Sequence, residues 1–205
     1  MNIAIWEISI IIALTIVFSL ILRKLPQART MLNKPFSETK NKTSNTKQTL
    51  ENHKSESIKK EISEIQMLIE NNRLPEAEKK LLDLVVRNPK NGDIYEKLGL
   101  VYLKQKNFTD CIQALKEALK YKKDITGNIY NNLGLAFFNL KEYPKSIENY
   151  RMSIDLDKKA VSRYINLSLS QKALGQAQDA IRTLKRAQKI NPHDLDVQKL
   201  LKSTT

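Results

Sequence analysis

The chain has one cysteine, one tryptophan, two histidines and five glycines in 205 residues. Each scarcity removes a class of protein. A lone cysteine, Cys111, closes no internal disulfide, so this is not a stapled secreted scaffold, and a reducing compartment suits its folded part. His53 and His193 lie far apart and have no second cysteine to join them, so no metal-ligand spacing forms. No Gly-rich phosphate loop and no nucleophilic serine elbow occurs. The sequence therefore shows no catalytic constellation, implies no cofactor and predicts that the protein is not an enzyme. Basic residues exceed acidic ones by 35 to 22, for a net charge of +13. The excess is spread, with eight basic against four acidic residues in 1–57 and 27 against 18 in 58–205. A nucleic-acid surface would interleave cations with exposed aromatics. Here the aromatics fall at helix-packing positions, so no nucleic-acid partner is expected.

What is present suits helices, with Lys, Leu, Ile, Asn and Glu dominating. The longest apolar run, residues 3–22, reads IAIWEISIIIALTIVFSLIL. At about 1.5 Å per residue it spans roughly 30 Å, the hydrocarbon thickness of a bilayer. Ser9, Thr15 and Ser19 can bond back to their own helix, and Glu7 lies within reach of an interface. A cleaved secretory signal would want cations before a shorter apolar core and a small-residue cleavage site. No Lys or Arg precedes this run, and Arg23-Lys24-Leu25-Pro26 follows it. The reading is an uncleaved anchor over residues 1–25. Arg23, Lys24, Arg29, Lys34, Lys40 and Lys42 flank its C-terminal end, so the positive-inside rule places the N-terminus outside and the rest in the cytoplasm. Residues 26–57 are polar, with almost no apolar period, and read as a flexible basic tether with a span of roughly 30 Å. The glycosylation sequons at Asn41 and Asn107 would matter only on a lumenal side.

Beyond the tether the chain repeats itself. Four units of about 34 residues run 58–91, 92–125, 127–160 and 161–194, with one extra residue near Thr126-Gly127. The second unit opens with Tyr95, Leu98, Gly99 and Tyr102 at the spacing of one helical face, and Cys111, Leu115 and Ala118 follow on a second helix. The third repeats this with Tyr130, Leu133, Gly134, Phe137, Ser146, Tyr150 and Ser153. The fourth has Tyr164, Leu167, Ser168, Ala180, Leu184, Ala187 and Pro192. In the first, Ala77, Leu81, Leu84 and Pro89 keep only the second half in register. Small residues stand where helices would cross closely. Pro75 and Pro144 suit the starts of second helices, where a missing N–H costs nothing. Leu195, Val197, Leu200 and Leu201 read as a capping helix within 195–205.

These spacings resemble the tetratricopeptide repeat family over about two thirds of the chain. The departures are Glu61 and Glu64 in the first unit, and Gln171 where the fourth wants an aromatic; they predict looser packing there. The resemblance implies an all-α fold, a right-handed α-solenoid of four helix pairs (residues 58–205 with the cap). One transmembrane helix and a flexible linker precede it. It further implies that the first helix of each pair lines a concave surface that binds a protein or peptide segment. The inward positions would be Asn128, Asn131, Asn132, Leu135, Phe138 and Asn139 of the third unit. The fourth adds Ile165, Asn166 and Leu169, and the second Glu96, Lys97, Leu100, Leu103 and Lys104.

Asparagine is a poor helix former, so a cluster along one helix asks for a reason. One reading is that Asn132 and Asn166 clamp an extended segment through its backbone, as in the asparagine ladder of some family members. In that arrangement Leu135, Phe138 and Leu169 would hold its apolar side chains. The alternative is that asparagine is merely common in this composition. Chaperone-tail binding in the family uses Lys and Asn in one repeat, Asn in the next, then Lys and Arg. Those positions hold Glu96, Leu100, Asn132, Ser162 and Asn166, or, read one unit earlier, Ile62, Gln66, Lys97, Asn128 and Asn132. The cations are missing, so no chaperone carboxylate clamp is expected. Arg182, Lys185, Arg186 and Lys189 share one face of the last long helix. They read either as a basic stripe for anionic lipid or an acidic partner, or as a solvated outer face. The function this suggests is a membrane-anchored scaffold or adaptor for assembling or regulating a membrane complex. A receptor handing clients to a translocation machine and a stoichiometric structural subunit are the alternatives.

Overall fold

The computed structural model describes residues 55–204, and all regular structure among them is helical. The chain divides into two units, Met1–Ile58 and Lys59–Thr205, and 55–58 are the described residues of the first. The helices are α1 (55–70), α2 (Leu74–Arg87), α3 (Gly92–Lys104), α4 (Phe108–Tyr121) and α5 (Gly127–Asn139), then α6 (Tyr143–Leu156), α7 (Val161–Ala173), α8 (Ala177–Ile190) and α9 (Leu195–Thr204). Among the described residues no helix is long and apolar enough to cross a membrane. The apolar run 3–22 and the tether as far as residue 54 lie outside the described residues. Residues 55–57, expected to close the tether, are helical instead. Once a helix is nucleated, each added residue gains a hydrogen bond at little cost, so it runs on past its last buried side chain.

One turn geometry joins the two helices of every pair. Asn72, Lys106, Lys141 and Gly175 all take positive φ, from 57° to 81°. The residue after each sends its N–H back to a carbonyl five residues earlier, as in Asn107 to Tyr102 and Glu142 to Phe137, both 2.9 Å. This closes the helix end and reverses the chain. Only the fourth turn uses the glycine that the geometry favours.

Antiparallel pairs then pack α3 on α4, α5 on α6 and α7 on α8, and each pair stacks on the next. Consecutive first helices touch, α3 with α5 and α5 with α7, whereas the second helices do not come comparably close. The stack is tighter on the first-helix side, which is therefore its concave wall. Small residues make the crossings possible. A Cβ added at Gly99 would fall 2.5 Å from Leu115 Cδ2, and one at Gly134 would fall 2.8 Å from the Tyr150 ring. Ala77, Cys111, Ser146 and Ala180 are fully buried on the facing helices. Two buried serines also tie α6 to α5. Ser146 Oγ donates to the Gly134 carbonyl at 2.8 Å, and Ser153 Oγ to that of Gly127 at 2.6 Å. The cap α9 packs on α8 and buries Val197.

The departures from the repeat pattern do not loosen the packing. In the first pair, burial moves to Ile65 and Ile69, each 1 % exposed, against Ala77, Leu81 and Leu84. Glu61 and Glu64 turn outward and pair with Arg87 at 2.7 Å and Lys80 at 3.6 Å. In the fourth, Gln171 is buried and its Oε1 accepts from Thr183 Oγ1 at 2.8 Å. A buried amide with a partner avoids the cost of an orphaned polar group.

Candidate peptide-binding groove

Repetition at intervals of 34–35 residues sets equivalent side chains in rows across the α3–α5–α7 wall. Leu100, Leu135 and Leu169 form one row, all half-buried, with Leu103 and Phe138 beside it. The Phe138 ring lies 5.7 Å from that of Tyr143. On the other side run Lys97, Asn132 and Asn166, and beyond them Glu96, Asn131 and Ile165. An outer row holds Asp93, Asn128 and Ser162.

The α3 end of the wall is charged and internally balanced. Lys97 Nζ donates to Gln66 Oε1 at 2.7 Å. Lys122, at the end of α4, lies between Asp93 at 2.6 Å and Glu96 at 2.5 Å. Burial disfavours its ammonium, but hydrogen bonds and attraction from those two carboxylates outweigh that and hold its pKa above the usual 10.5.

The α5–α7 end is built of amides, and most are engaged within the chain. Asn166 Nδ2 donates to Asn131 Oδ1 at 3.2 Å, so it reaches sideways to the neighbouring helix. Asn128 Oδ1 accepts from Arg163 Nη2 at 3.1 Å, and Asn139 Nδ2 donates to its own helix at Leu135 O, 2.8 Å. The Asn132 side chain is half-buried and forms no hydrogen bond among the described residues. Amides on adjacent helices satisfy one another where they can, because an unpaired polar group at the floor of a wall costs stability.

Sequence reading missed Arg163, which stands where the two preceding pairs have Ile94 and Ile129. It is 8 % exposed. Its guanidinium donates to the Ser153 carbonyl at 3.0 Å, pairs with Asp157 at 3.2 Å and reaches Asn128, bolting the third pair to the fourth. The only signal in the sequence was an arginine at an apolar position.

Cys111 is fully buried at a helix crossing, and burial pushes its thiol up to about 12. It is a packing residue, and its thiolate is suppressed. The basic face of α8 is solvent-facing at all four positions, Arg182, Lys185, Arg186 and Lys189. Arg182 pairs with Asp179, and the Arg186 guanidinium lies 5.4 Å over the Tyr164 ring.

The chain matches family models for the tetratricopeptide repeat at residues 64–125, 127–159 and 161–194, more than half its length. No curated protein sequence matches it. Among solved structures it resembles MamA, with 20% identity and a TM-score of 0.64 over 68% of this chain and 81% of that one. It also resembles YrrB, described as a TPR protein with an unusual peptide-binding site, at 14% identity and a TM-score of 0.62, covering 70% and 74%. The first TPR of Spaghetti (RPAP3), bound to the HSP90 peptide SRMEEVD, aligns at 16% identity and a TM-score of 0.52, covering 56% and 90%. At these identities the likeness shows the fold. With the repeat spacing, the helix pairs and the matching models in agreement, the chain belongs to the tetratricopeptide repeat family, whose members mediate protein–protein interaction.

Proposed function

We infer that the chain is a non-catalytic, membrane-anchored scaffold that holds an extended segment of another protein on its α3–α5–α7 wall. The observation that carries this is the row Leu100, Leu135 and Leu169 beside the unengaged amide of Asn132. The leucines offer an apolar track, and Asn132 offers a donor and an acceptor to a peptide backbone, irrespective of its sequence. YrrB and the RPAP3 domain share this fold, and both are described with peptide sites. The cations missing where Glu96, Ser162 and Asn166 stand argue for recognition of backbone and apolar side chains, with no chaperone-type carboxylate clamp. The apolar run 3–22 is long enough for a single span, and under the positive-inside rule the cations after it favour the cytoplasmic face for the repeats. A partner held on such a tether experiences a local concentration on the order of mM, which suits assembly or regulation of a membrane complex.

Crosslinking with mass spectrometry on intact membranes tests the role. A few recurrent partners support an adaptor, many transient clients a receptor, and one stoichiometric complex a structural subunit. The groove itself is tested by Asn132→Ala/Leu135→Ala: partner capture that survives in a folded variant removes it. Release of the full chain from membranes by alkaline carbonate would remove the anchor.

A further inference from the structure

Opposite the groove the second helices spread apart. Between α6 and α8 lies a cleft of about 410 Å³. Its floor is Leu167 and Gln171 of α7 with Thr183 of α8, and its walls carry Arg151, Arg182 and Arg186 against Asp155 and Asp179. The floor is polar because Gln171 stands where the two preceding pairs have the rings of Tyr102 and Phe137. Gln171 is 3 % exposed, and only one end of its amide is used, by Thr183. Its Nε2 forms no hydrogen bond among the described residues, although the residue lines the cleft. No buried side-chain polar atom among the described residues lacks a partner, so this nitrogen reaches solvent at the cleft floor, where it can donate to an occupant.

We propose that this cleft is a second docking site, separate from the groove, and that it takes an acidic segment of a partner protein. Carboxylates of that segment meet the guanidinium groups on the two walls, and an oxygen of its backbone or side chain accepts from the Gln171 amide. The charges favour this occupant. Arg151 and Arg186 have no carboxylate partner among the described residues, and Arg182 has only Asp179. Lys185 and Lys189 extend the positive face along α8 beyond the cleft. Arginine offers paired donors that match a carboxylate, and a recess between two helices admits a chain segment. A flat lipid headgroup layer would reach the rim alone.

The test uses the full chain and fluorescence anisotropy with a fluorescein-labelled octaglutamate, with octaglutamine as the control. A chain of net charge +13 attracts any polyanion weakly. The deciding variant is therefore the uncharged Gln171→Phe, which restores a ring and closes the floor. Octaglutamate should bind the wild type and bind Gln171→Phe at least about tenfold more weakly, with the same loss in Arg151→Gln/Arg186→Gln, as expected when charge-assisted hydrogen bonds are removed. The groove variant Asn132→Ala/Leu135→Ala should leave this affinity unchanged, so the two sites fail separately. Equal octaglutamate binding by the wild type, Gln171→Phe and the arginine variant overturns the proposal. So does binding of phosphatidylserine vesicles that needs Arg151 and Arg186 while the peptide does not, or self-association lost in the arginine variant. If Gln171→Phe loses its helical circular dichroism, the arginine variant decides alone.

Discussion

Arg163 is the bolt whose removal should be most informative. Its guanidinium touches three groups across the α6–α7 joint, and their exposure sets the magnitude. The Ser153 carbonyl also accepts from the Asp157 N–H at 3.2 Å, so losing the arginine does not orphan it. The Asp157 side chain is 48 % exposed and is solvated without its partner. Asn128 is exposed as well. No buried charge is left behind, and removing a largely buried guanidinium also removes its desolvation cost. Arg163→Met keeps the apolar stem and should cost about 1 kcal/mol. Arg163→Ala also empties the space under the stem and should cost about 3 kcal/mol. Repeat stability sums over neighbours, so the loss should concentrate at one joint. Hydrogen exchange of the full chain should show α7–α9 opening about a hundredfold more often in Arg163→Ala, at 1.4 kcal/mol per decade, with α3 and α4 unchanged. Acceleration spread evenly over α3–α9 would refute the argument. A loss in Arg163→Met as large as in Arg163→Ala would show that the hydrogen bonds, and not the packing, dominate.

Gly134→Ala should destabilise by about 1–2 kcal/mol in thermal unfolding, since its Cβ would meet the buried Tyr150 ring and the better helix propensity offsets only part of that. Gly175→Ala should cost about 1 kcal/mol although nothing lies within 4 Å of the new Cβ, because φ there is +81°. Lys122 has a raised pKa in the fold, so its contribution is complete below the unfolded value of 10.5 and is lost as pH rises through the higher folded value. Denaturant titrations should therefore show the stability gap between wild type and Lys122→Met narrowing only above about pH 10.5. Cys111, with its thiol pushed up to about 12, should resist Ellman's reagent at pH 8 in the native chain and react fully in guanidinium chloride.

The periodic features of this fold were legible because they recur. The spacing of Leu98, Gly99 and Tyr102 against Cys111, Leu115 and Ala118 reports one buried face on each of two helices, and three further units repeat or partly repeat it. Features that depend on a partner in another repeat were not legible. Nothing in the sequence says that Glu61 meets Arg87, that Arg163 crosses to Ser153, or that Asn166 turns to Asn131. Those choices are made by side-chain reach across a joint, on which a single strand of letters is silent. The same limit explains the expectation of loose packing at Glu61, Glu64 and Gln171. Pattern matching registers the lost ring, while the structure registers the burial of Ile65 and the Gln171–Thr183 bond that replace it.

The two serine bonds between α6 and α5 set the third pair apart mechanically. Apolar packing resists sliding by shape alone, whereas hydrogen bonds add a directional constraint on register. Two hydrogen bonds seven residues apart on each helix act as pins in matching sockets, and a slip of one turn would break both. The third pair is thus a keystone of fixed register. Any flexing of the wall as a partner seats must be taken up at the joints on either side of it.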